Sequence, residues 1–441
     1  MTYDTLVHNG IVLTVNPAFD IFSPGYVGIR SGRVAALGPV DPDGARPRAE
    51  TCIDARGGII MPGLVNTHTH LPMTLFRGLA DDLPLETWLH DHIFPAESRH
   101  ITPATVGWGA RLACAEMLLS GTTTCCDGYF LEDQVAAAVA DAGMRAVLGQ
   151  GVIDFPAPGV PYPGDNITAA RDFLVRWRSR TPLITPAVFC HSPYTCSPET
   201  LRAAKALAAE HGALFQIHAA ETRQECDASR AHHGLSPIAF LDRLGLLSQG
   251  TLLVHCVWAD GRDIARIAAG GAAISHNPQS NMKLASGIAP VTDFLAAGIS
   301  VGLGTDGCAS NNDLDLLHEM DTAAKLHKVK SGDPTACPAR TVVEMATIRG
   351  AEAIGLGAVT GSLEIGKAAD IIVLAADAPH LVPLYHPASH LVYAARGDDV
   401  REVLVAGRRL VADGRPQSLD LAEIRRQVTA IARKIRPSNG S

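Results

Sequence analysis

The chain has 441 residues, with 37 Lys and Arg against 45 Asp and Glu, which gives a formal net charge of −8. This balance argues against a protein that holds nucleic-acid phosphates or anionic membranes through general electrostatics. Hydrophobic residues make up 47% of the chain and charged residues 19%. This much apolar material is enough to bury a large core, and it excludes disorder over most of the length.

The sequence carries no targeting signal that we recognise. The first residues lack the basic and then apolar regions of a secretory signal, and no apolar run approaches the roughly 18 residues that a membrane span needs. The 10 Cys residues are scattered and form no Cys-x-x-Cys pair, a pattern typical of buried thiols in a reducing compartment. We therefore expect a cytoplasmic protein.

Both ends of the chain show short strands separated by turn residues. Alternating apolar and polar residues occur between turns in 5–37, and the same pattern returns in 370–374 and 400–411 before a last polar helix. Each end is too short to enclose a core by itself. We therefore predict that 1–60 and 365–441 combine into one composite β-sandwich domain.

Between these ends, apolar segments of strand length alternate with helical segments. A helix at 201–210 is followed by a stop at His211–Gly212 and a strand at 213–218, and three further helix–strand pairs follow up to 304. Strands that are apolar throughout are typical of parallel sheets covered by helices. The pattern predicts an α/β fold in which 61–364 form a (β/α)8 barrel of the TIM type. An open doubly wound sheet is the alternative, although no Gly-x-Gly-x-x-Gly follows the first strands.

Polar residues stand at the ends of several predicted barrel strands, where an apolar strand would otherwise avoid them. They are His68, His70, His191, His218, His255 and Asp306. Barrel enzymes assemble their sites at the carboxyl ends of the strands. These residues are therefore expected to converge although most are far apart in the chain.

Four of these residues have the chemistry of metal ligands. His68 and His70 are two residues apart on a strand, so both imidazoles point to the same face. With His218 and Asp306 they form a set of three histidines and one carboxylate, which leaves room for a water and is typical of a catalytic metal site. Zn²⁺ suits these ligands, and Fe²⁺ or Mn²⁺ could occupy the same set.

Two further residues are candidates for handling protons. Glu221 follows His218 by three residues, where the strand gives way to a loop, and could carry a proton to a leaving group. Its structural alternative is a carboxylate at a helix N-terminus. His255 could stabilise a tetrahedral adduct, or it could be a core histidine bonded to a backbone carbonyl. His276 has the same ambiguity, and we assign it no catalytic role.

Four segments of the chain resemble the amidohydrolase superfamily. They are PGLVNTHTH at 62–70, HAAET at 218–222, HNPQSNMKLASG at 276–287 and GTDGCASNN at 304–312. Within that superfamily the chain is similar to the methylthioadenosine/S-adenosylhomocysteine deaminase group and its relatives among N-heterocycle hydrolases. The resemblance covers nearly the whole chain, including the split β domain and GSLEIGKAADI at 361–371.

The resemblance implies a mononuclear Zn²⁺ enzyme. The four residues proposed above as ligands match the ligands of the family, and Glu221 and His255 match its proton-handling residues. Asp306 would take a proton from the attacking water as well as binding the metal. No Lys stands at a barrel strand end to bridge a second metal, which agrees with one Zn²⁺ per chain.

The resemblance also implies the substrate contacts. Trp88 and Glu97 match a Trp and a Glu that contact the nucleoside in the deaminase group, and His191 matches a substrate-contacting His. Glu97 is suited to accept hydrogen bonds from ribose hydroxyls, and Trp88 to contact the 5′ substituent. Glu221 and Asp306 would contact the reacting base.

Gln150 departs from the pattern of the group. Some members carry an Arg directly before the glycine that is Gly151 here, where it helps to hold the substrate. The loss of a planar cation weakens the case for binding an amino-acid carboxylate such as that of homocysteine. We therefore favour methylthioadenosine and adenosine over S-adenosylhomocysteine as substrates.

These observations predict a hydrolytic deaminase of 6-aminopurine nucleosides that releases ammonia by attack of a Zn-activated water. The alternative is a Zn-dependent hydrolase of another N-heterocycle, such as a triazine or guanine-type ring. A catalytically inactive scaffold would have a degraded metal set, whereas all four ligands are present. The expected partner is a small-molecule nucleoside, with no nucleic acid and no membrane, and a homo-oligomer is expected.

Overall fold

The computed structural model describes residues 2–41 and 48–435. Its strands are β1 Thr2–Leu13, β2 Ile21–Arg30, β3 Arg33–Pro39, β4 Arg48–Asp54, β5 Ile59–Pro62, β6 Leu64–Thr69, β7 Thr122–Tyr129, β8 Arg145–Val152, β9 Ile184–Cys190, β10 Phe215–Ala219, β11 Thr251–His255, β12 Ala273–His276, β13 Val301–Leu303, β14 Ile371–Leu374, β15 Val400–Val405, β16 Arg408–Ala412 and β17 Arg415–Pro416.

The α-helices alternate with the strands over the middle of the chain. They are α1 Leu85–Thr87, α2 Phe94–His100, α3 Pro103–Leu119, α4 Glu132–Ala142, α5 Asn166–Trp177, α6 Pro198–His211, α7 Arg223–His233, α8 Pro237–Arg243, α9 Gly261–Gly270, α10 Pro278–Lys283, α11 Val291–Ala296, α12 Leu316–Ser331, α13 Ala339–Met345, α14 Ile348–Ala353, α15 Pro387–Tyr393 and α16 Leu421–Ile435. A π-helix covers Trp88–Ile93, and short 3-10 helices cover Leu71–Phe76, Pro163–Asp165, Pro379–Leu381 and Gly397–Asp399.

The chain divides into two compact units. The first contains the described residues within Met1–Asn66, Ala115–Thr124 and Asp315–Leu419. The second contains those within Thr67–Cys114, Cys125–Leu314 and Asp420–Ser441. The domain ranges proposed above, 1–60 with 365–441 and 61–364, remain a prediction.

Strands from both chain ends form one mixed sheet. Its order is β17-β16-β15-β14-β5-β1-β2-β3, and β4 pairs with β1. The long strand β1 is central, because it runs parallel to both β4 and β5 and antiparallel to β2. The antiparallel pair of β5 and β14 joins the two chain ends directly. The prediction that both ends build one β domain is therefore confirmed.

The middle of the chain forms an eight-stranded sheet in which β6 to β13 follow one another in chain order. The backbone N–H of Asp306, just after β13, donates to the backbone oxygen of His68 in β6 at 2.9 Å, so the first and last strands meet. A doubly wound sheet would reverse its strand order at a switch point. The sheet is a nearly closed parallel barrel, and the prediction of a (β/α)8 fold is confirmed.

Local sequence signals explain where the barrel helices begin and end. The side chain of Ser197 accepts a hydrogen bond from Thr200 N and caps the start of α6, with Pro198 at the first helical position. Gly212 ends α6 with φ 61°, in the left-handed region where a residue without Cβ is favoured. The predicted stop at His211–Gly212 falls where α6 ends, with His211 as its last residue, and β10 begins at Phe215, two residues later than predicted.

Two further features concern the helices and the cysteines. Among the described residues, no helix has both the length and the hydropathy needed to cross a membrane. All ten cysteines are free thiols, and all except Cys52 are buried. Burial raises the pKa of Cys114 to about 12, so this thiol stays protonated and inert under ordinary conditions.

Candidate active site

One cavity lies where the barrel strands end, and it brings together most of the residues singled out from the sequence. These are His70, Trp88, Glu97, His191, His218, Glu221, His255 and Asp306. His68 is fully buried and contacts this group through Asp306 and His218. The convergence expected for side chains on different strand ends is therefore observed.

The donor atoms of four residues cluster at the floor of the cavity. His68 Nε2 lies 3.1 Å from His218 Nε2 and 3.4 Å from Asp306 Oδ1. His70 Nε2 lies 3.3 Å from the same Asp306 oxygen, while its Nδ1 bonds to the backbone oxygen of Gly128 at 2.6 Å. That backbone contact aims His70 Nε2 at the cluster, as an outer hydrogen bond does for a metal-binding histidine. Three imidazoles and a carboxylate fit Zn²⁺.

The electrostatics favour the metal-binding forms of His68, His218 and Asp306. Burial lowers the pKa of His68 to about 4, and burial with the neighbouring histidines lowers the pKa of His218. Burial alone would raise the pKa of Asp306, but the hydrogen bond and charge of His68, together with the other histidines, outweigh it and lower that pKa. Neutral imidazoles and an ionised carboxylate are the ligand forms that a cation requires.

Glu221 and His255 face the same point beside the cluster. His255 Nε2 lies 3.6 Å from Glu221 Oε2 and 4.0 Å from Asp306 Oδ2. Burial raises the pKa of Glu221, although the charge of His255 acts in the opposite direction. A carboxyl group with a raised pKa can hold a proton and release it to a substrate, which is what a general acid must do.

Three side chains of the segment 276–287, which begins at the end of β12, orient these groups. Ser280 Oγ donates to Asp306 Oδ2 at 2.7 Å, and Ser286 Oγ donates to Glu221 Oε1 at 3.3 Å. Asn281 Oδ1 accepts from His255 Nδ1 at 2.9 Å, which leaves His255 Nε2 facing the cluster. In the sequence, the only sign of this role is a run of Ser and Asn residues directly after a barrel strand. His276, which begins that run, is buried and is not among the residues that line the cavity.

Another part of the cavity lining comes from helices that precede the barrel helix α3. Trp88 begins the π-helix, Glu97 lies in α2, and both are buried. Tyr129, the last residue of β7, donates its hydroxyl to Glu97 Oε1 at 2.5 Å. Burial raises the pKa of Glu97 to about 7, although the bond from Tyr129 acts in the opposite direction. Tyr129 is a contact that sequence reasoning missed.

His191 directly follows β9, and Gln150 lies in the neighbouring strand β8, but the two have different surroundings. His191 Nδ1 lies 3.0 Å from Thr195 Oγ1, and burial lowers the pKa of His191 to about 3, so the ring is neutral. Gln150 Oε1 accepts a hydrogen bond from the backbone N–H of Glu132 at 3.2 Å. Gln150 does not line the cavity, and the lining found among the described residues includes no Lys or Arg.

Comparisons with known proteins agree with this geometry. The Amidohydrolase family profile matches residues 59–410. The chain is 49% identical to the 5-methylthioadenosine/S-adenosylhomocysteine deaminase of Syntrophobacter fumaroxidans, over 98% of this chain and 99% of that protein. It is 44% identical to the 5′-deoxyadenosine deaminase of Methanosarcina mazei, over 95% of each chain.

Solved structures show the same architecture. An adenosine deaminase from Xanthomonas campestris with bound zinc superposes with a TM-score of 0.96 at 37% identity, over 99% of each chain. The atrazine chlorohydrolase TrzN from Arthrobacter aurescens, complexed with zinc, superposes with a TM-score of 0.89 at 26% identity, over 97% of this chain and 100% of that one. On the match to the family profile and on these relatives, the chain belongs to the amidohydrolase family.

Proposed function

We propose that the chain is a metal-dependent hydrolytic deaminase of 6-aminopurine nucleosides. The observation that carries the proposal is that one cavity is lined by residues of a cluster of metal-ligand type, by Glu221 beside that cluster and by Glu97, which Tyr129 holds. The names of the deaminase relatives support the same activity. We include in the proposal one Zn²⁺ per chain, with Fe²⁺ or Mn²⁺ as alternatives, and a cytoplasmic homo-oligomer.

The residues divide the chemistry among them. Zn²⁺ held by the three histidines and Asp306 supplies, when bound, a water acidic enough to attack near neutral pH. Glu221, whose pKa is raised by burial, delivers a proton to the ring nitrogen, then takes up a second proton that the attacking water releases and passes it to the departing amine. His255, held by Asn281, stabilises the charge that develops next to Glu221.

We assign recognition of the sugar and its 5′ substituent to Glu97, Trp88 and His191. Glu97 keeps one carboxylate oxygen on Tyr129, so its other oxygen is available to accept from ribose hydroxyls. Trp88 offers an apolar face to the 5′ substituent. His191, neutral and directed by Thr195, contributes a polar contact to the bound nucleoside.

The charge of the cavity favours a neutral 5′ substituent. A bound amino-acid carboxylate would normally be met by an Arg or Lys, and neither residue lines the cavity within the part of the chain that the structure describes. We therefore expect 5′-methylthioadenosine and adenosine to be better substrates than S-adenosylhomocysteine.

The proposed activity is tested by comparing kcat/KM for these three nucleosides. Ammonia release, or the ultraviolet change as adenine becomes hypoxanthine, should be efficient for the first two and at least about tenfold weaker for the third, the size of one lost charged contact. A folded, zinc-loaded preparation that releases no ammonia from any 6-aminopurine nucleoside would rule out the proposal.

Hydrolysis of another N-heterocycle is the second candidate, because the triazine-acting neighbour shares the fold over almost the whole chain. Fold alone does not decide substrate, and Glu97 discriminates between the two activities. Glu97→Ala should lower kcat/KM for nucleosides by about 10- to 100-fold, because a charged acceptor for the ribose is lost.

Activity of Glu97→Ala on a free base such as adenine should change little, since that substrate has no ribose. The matched control is Glu86→Ala, which removes an exposed carboxylate in α1 and should leave nucleoside kinetics unchanged. An equal loss on adenosine and adenine would contradict a sugar-binding role and favour the heterocycle hydrolase.

A further inference from the structure

Glu225 holds the loop that carries Glu221. It lies in the first turn of α7, four residues after Glu221. One oxygen of its carboxylate accepts the backbone N–H of Ala220 at 2.9 Å, and the other accepts the backbone N–H of Glu221 at 2.7 Å. Thr222 Oγ1 in turn accepts from Glu225 N at 3.1 Å and caps the helix. Both carboxylate oxygens are therefore bonded to the turn that presents Glu221.

That turn has a backbone shape that needs support. Ala220 has φ 52°, in the left-handed region that residues with a Cβ rarely adopt. On its carbonyl side, the backbone oxygens of Ala219 and Ala220 accept from Cys256 N at 3.1 Å and Trp258 N at 3.0 Å. The segment that follows β11 thus fixes the carbonyl groups of the turn, and Glu225 fixes its N–H groups.

We propose that Glu225 is a positioning residue for Glu221, holding the turn after β10 so that the carboxyl of Glu221 points into the cavity. The inference rests on the proposed function, in which Glu221 moves protons. Glu225 is not among the residues that line the cavity, so it acts through Glu221 and does not contact the substrate. No other carboxylate among the described residues bonds to the backbone of this turn.

Glu225→Gln is the informative change. The amide oxygen can accept one of the two N–H groups, but the NH₂ group then faces the other N–H, so at least one bond is lost. Displacement of a catalytic group by about 1 Å can lower the rate by about 100-fold. We expect kcat to fall by about 10- to 100-fold, with KM and the bound zinc per chain unchanged. Glu225→Asp keeps the charge but has a shorter side chain, and its kcat should lie between those of the wild type and Glu225→Gln.

The pH chosen for the kinetic comparison depends on the ionisation of the Glu225 carboxyl group. Burial raises the pKa of Glu225 to about 7, although the two N–H groups act in the opposite direction. Kinetics at about pH 8 therefore compare the variants with a wild type in which this carboxylate is ionised. The matched control is Glu199→Gln, which changes an exposed glutamate in the first turn of α6 and should leave kcat unchanged.

A double-mutant cycle separates positioning from a structural role. If Glu225 acts only through Glu221, the variant carrying both Glu221→Gln and Glu225→Gln is no slower than Glu221→Gln alone. If the two substitutions lower kcat by factors that multiply in the double variant, Glu225 acts independently of Glu221 and the inference is overturned. A purely structural role would also lower the melting temperature and the zinc content without this non-additivity.

Failure of the inference and failure of the proposed function give different results. If the wild-type enzyme releases no ammonia, the proposed function fails. If the wild-type enzyme is active and folded Glu225→Gln has the same kcat, the inference is wrong. Where Glu225→Gln does not fold, Glu225→Asp supports the inference by a lowered kcat at wild-type KM and overturns it by wild-type kcat.

Discussion

Replacement of Glu221 by Gln is expected to lower kcat by about 10³-fold, within the range that positioned acid–base groups contribute. The amide occupies nearly the same volume and can still accept from Ser286, whose hydroxyl lies 3.3 Å from Glu221 Oε1. It cannot carry a proton to the ring nitrogen or to the departing amine. The loss should therefore appear in kcat, with substrate binding largely preserved.

The measurement is steady-state deamination of adenosine, followed by ultraviolet absorbance, on variants with equal zinc content. Glu199→Gln again serves as the matched control, because it is exposed and lies on a different barrel helix. Wild-type kcat in a folded, zinc-loaded Glu221→Gln variant would show that protons travel by another group. His255, 3.6 Å from Glu221, would then be the next residue to test.

Removal of the metal is expected to reduce deamination to background and to destabilise the protein. Among the proposed ligands, His68 and Asp306 are buried and lie within hydrogen-bonding or ion-pair distance of their neighbours. A cation that binds only the folded state stabilises it by about 4 kcal/mol when the free ion is at 1,000 times its Kd. A chelator should therefore lower the melting temperature as well as the activity.

Added Zn²⁺ should restore both quantities, and parallel additions of Fe²⁺ and Mn²⁺ would identify the preferred ion. The control is His218→Ala, which removes one proposed ligand. In this variant, Zn²⁺ should restore far less activity and shift the melting temperature far less than in the wild type. Full activity in a preparation shown to contain no metal would contradict the proposed chemistry.

One physical rule allowed both the barrel and the convergence of its polar residues to be predicted from the sequence. Apolar strands of a parallel sheet tolerate polar residues only where the strands end, and the ends of all strands meet on one face. His68, His218, His255 and Asp306 could therefore be assigned to one place although they are distant in the chain. The structure brings them together in two groups of possible metal ligands that share His68, while their individual roles remain predictions.

The positions of Trp88 and Glu97 could not be predicted from the pattern of the sequence. No periodicity in the sequence indicated that they reach the barrel mouth, and only the family resemblance suggested it. The structure places them on a π-helix and the α-helix that continues it. The extra residue in a π turn rotates the side chains that follow relative to an α-helix, so their direction cannot be read from a regular 3.6-residue repeat.

The sequence alone determined the fold class, the pairing of the two chain ends in one β domain and the identity of the residues that converge at the strand ends. Those conclusions depend on local patterns, which repeat along the chain and can be counted. Only the tertiary structure decided how the converging groups are aimed. The bonds of Asn281 to His255, Tyr129 to Glu97 and Glu225 to the backbone of Glu221 join separate elements or a helix to its preceding turn. Such contacts depend on distances of a few ångströms between side chains and backbone atoms, and residue order does not specify those distances until the chain is folded.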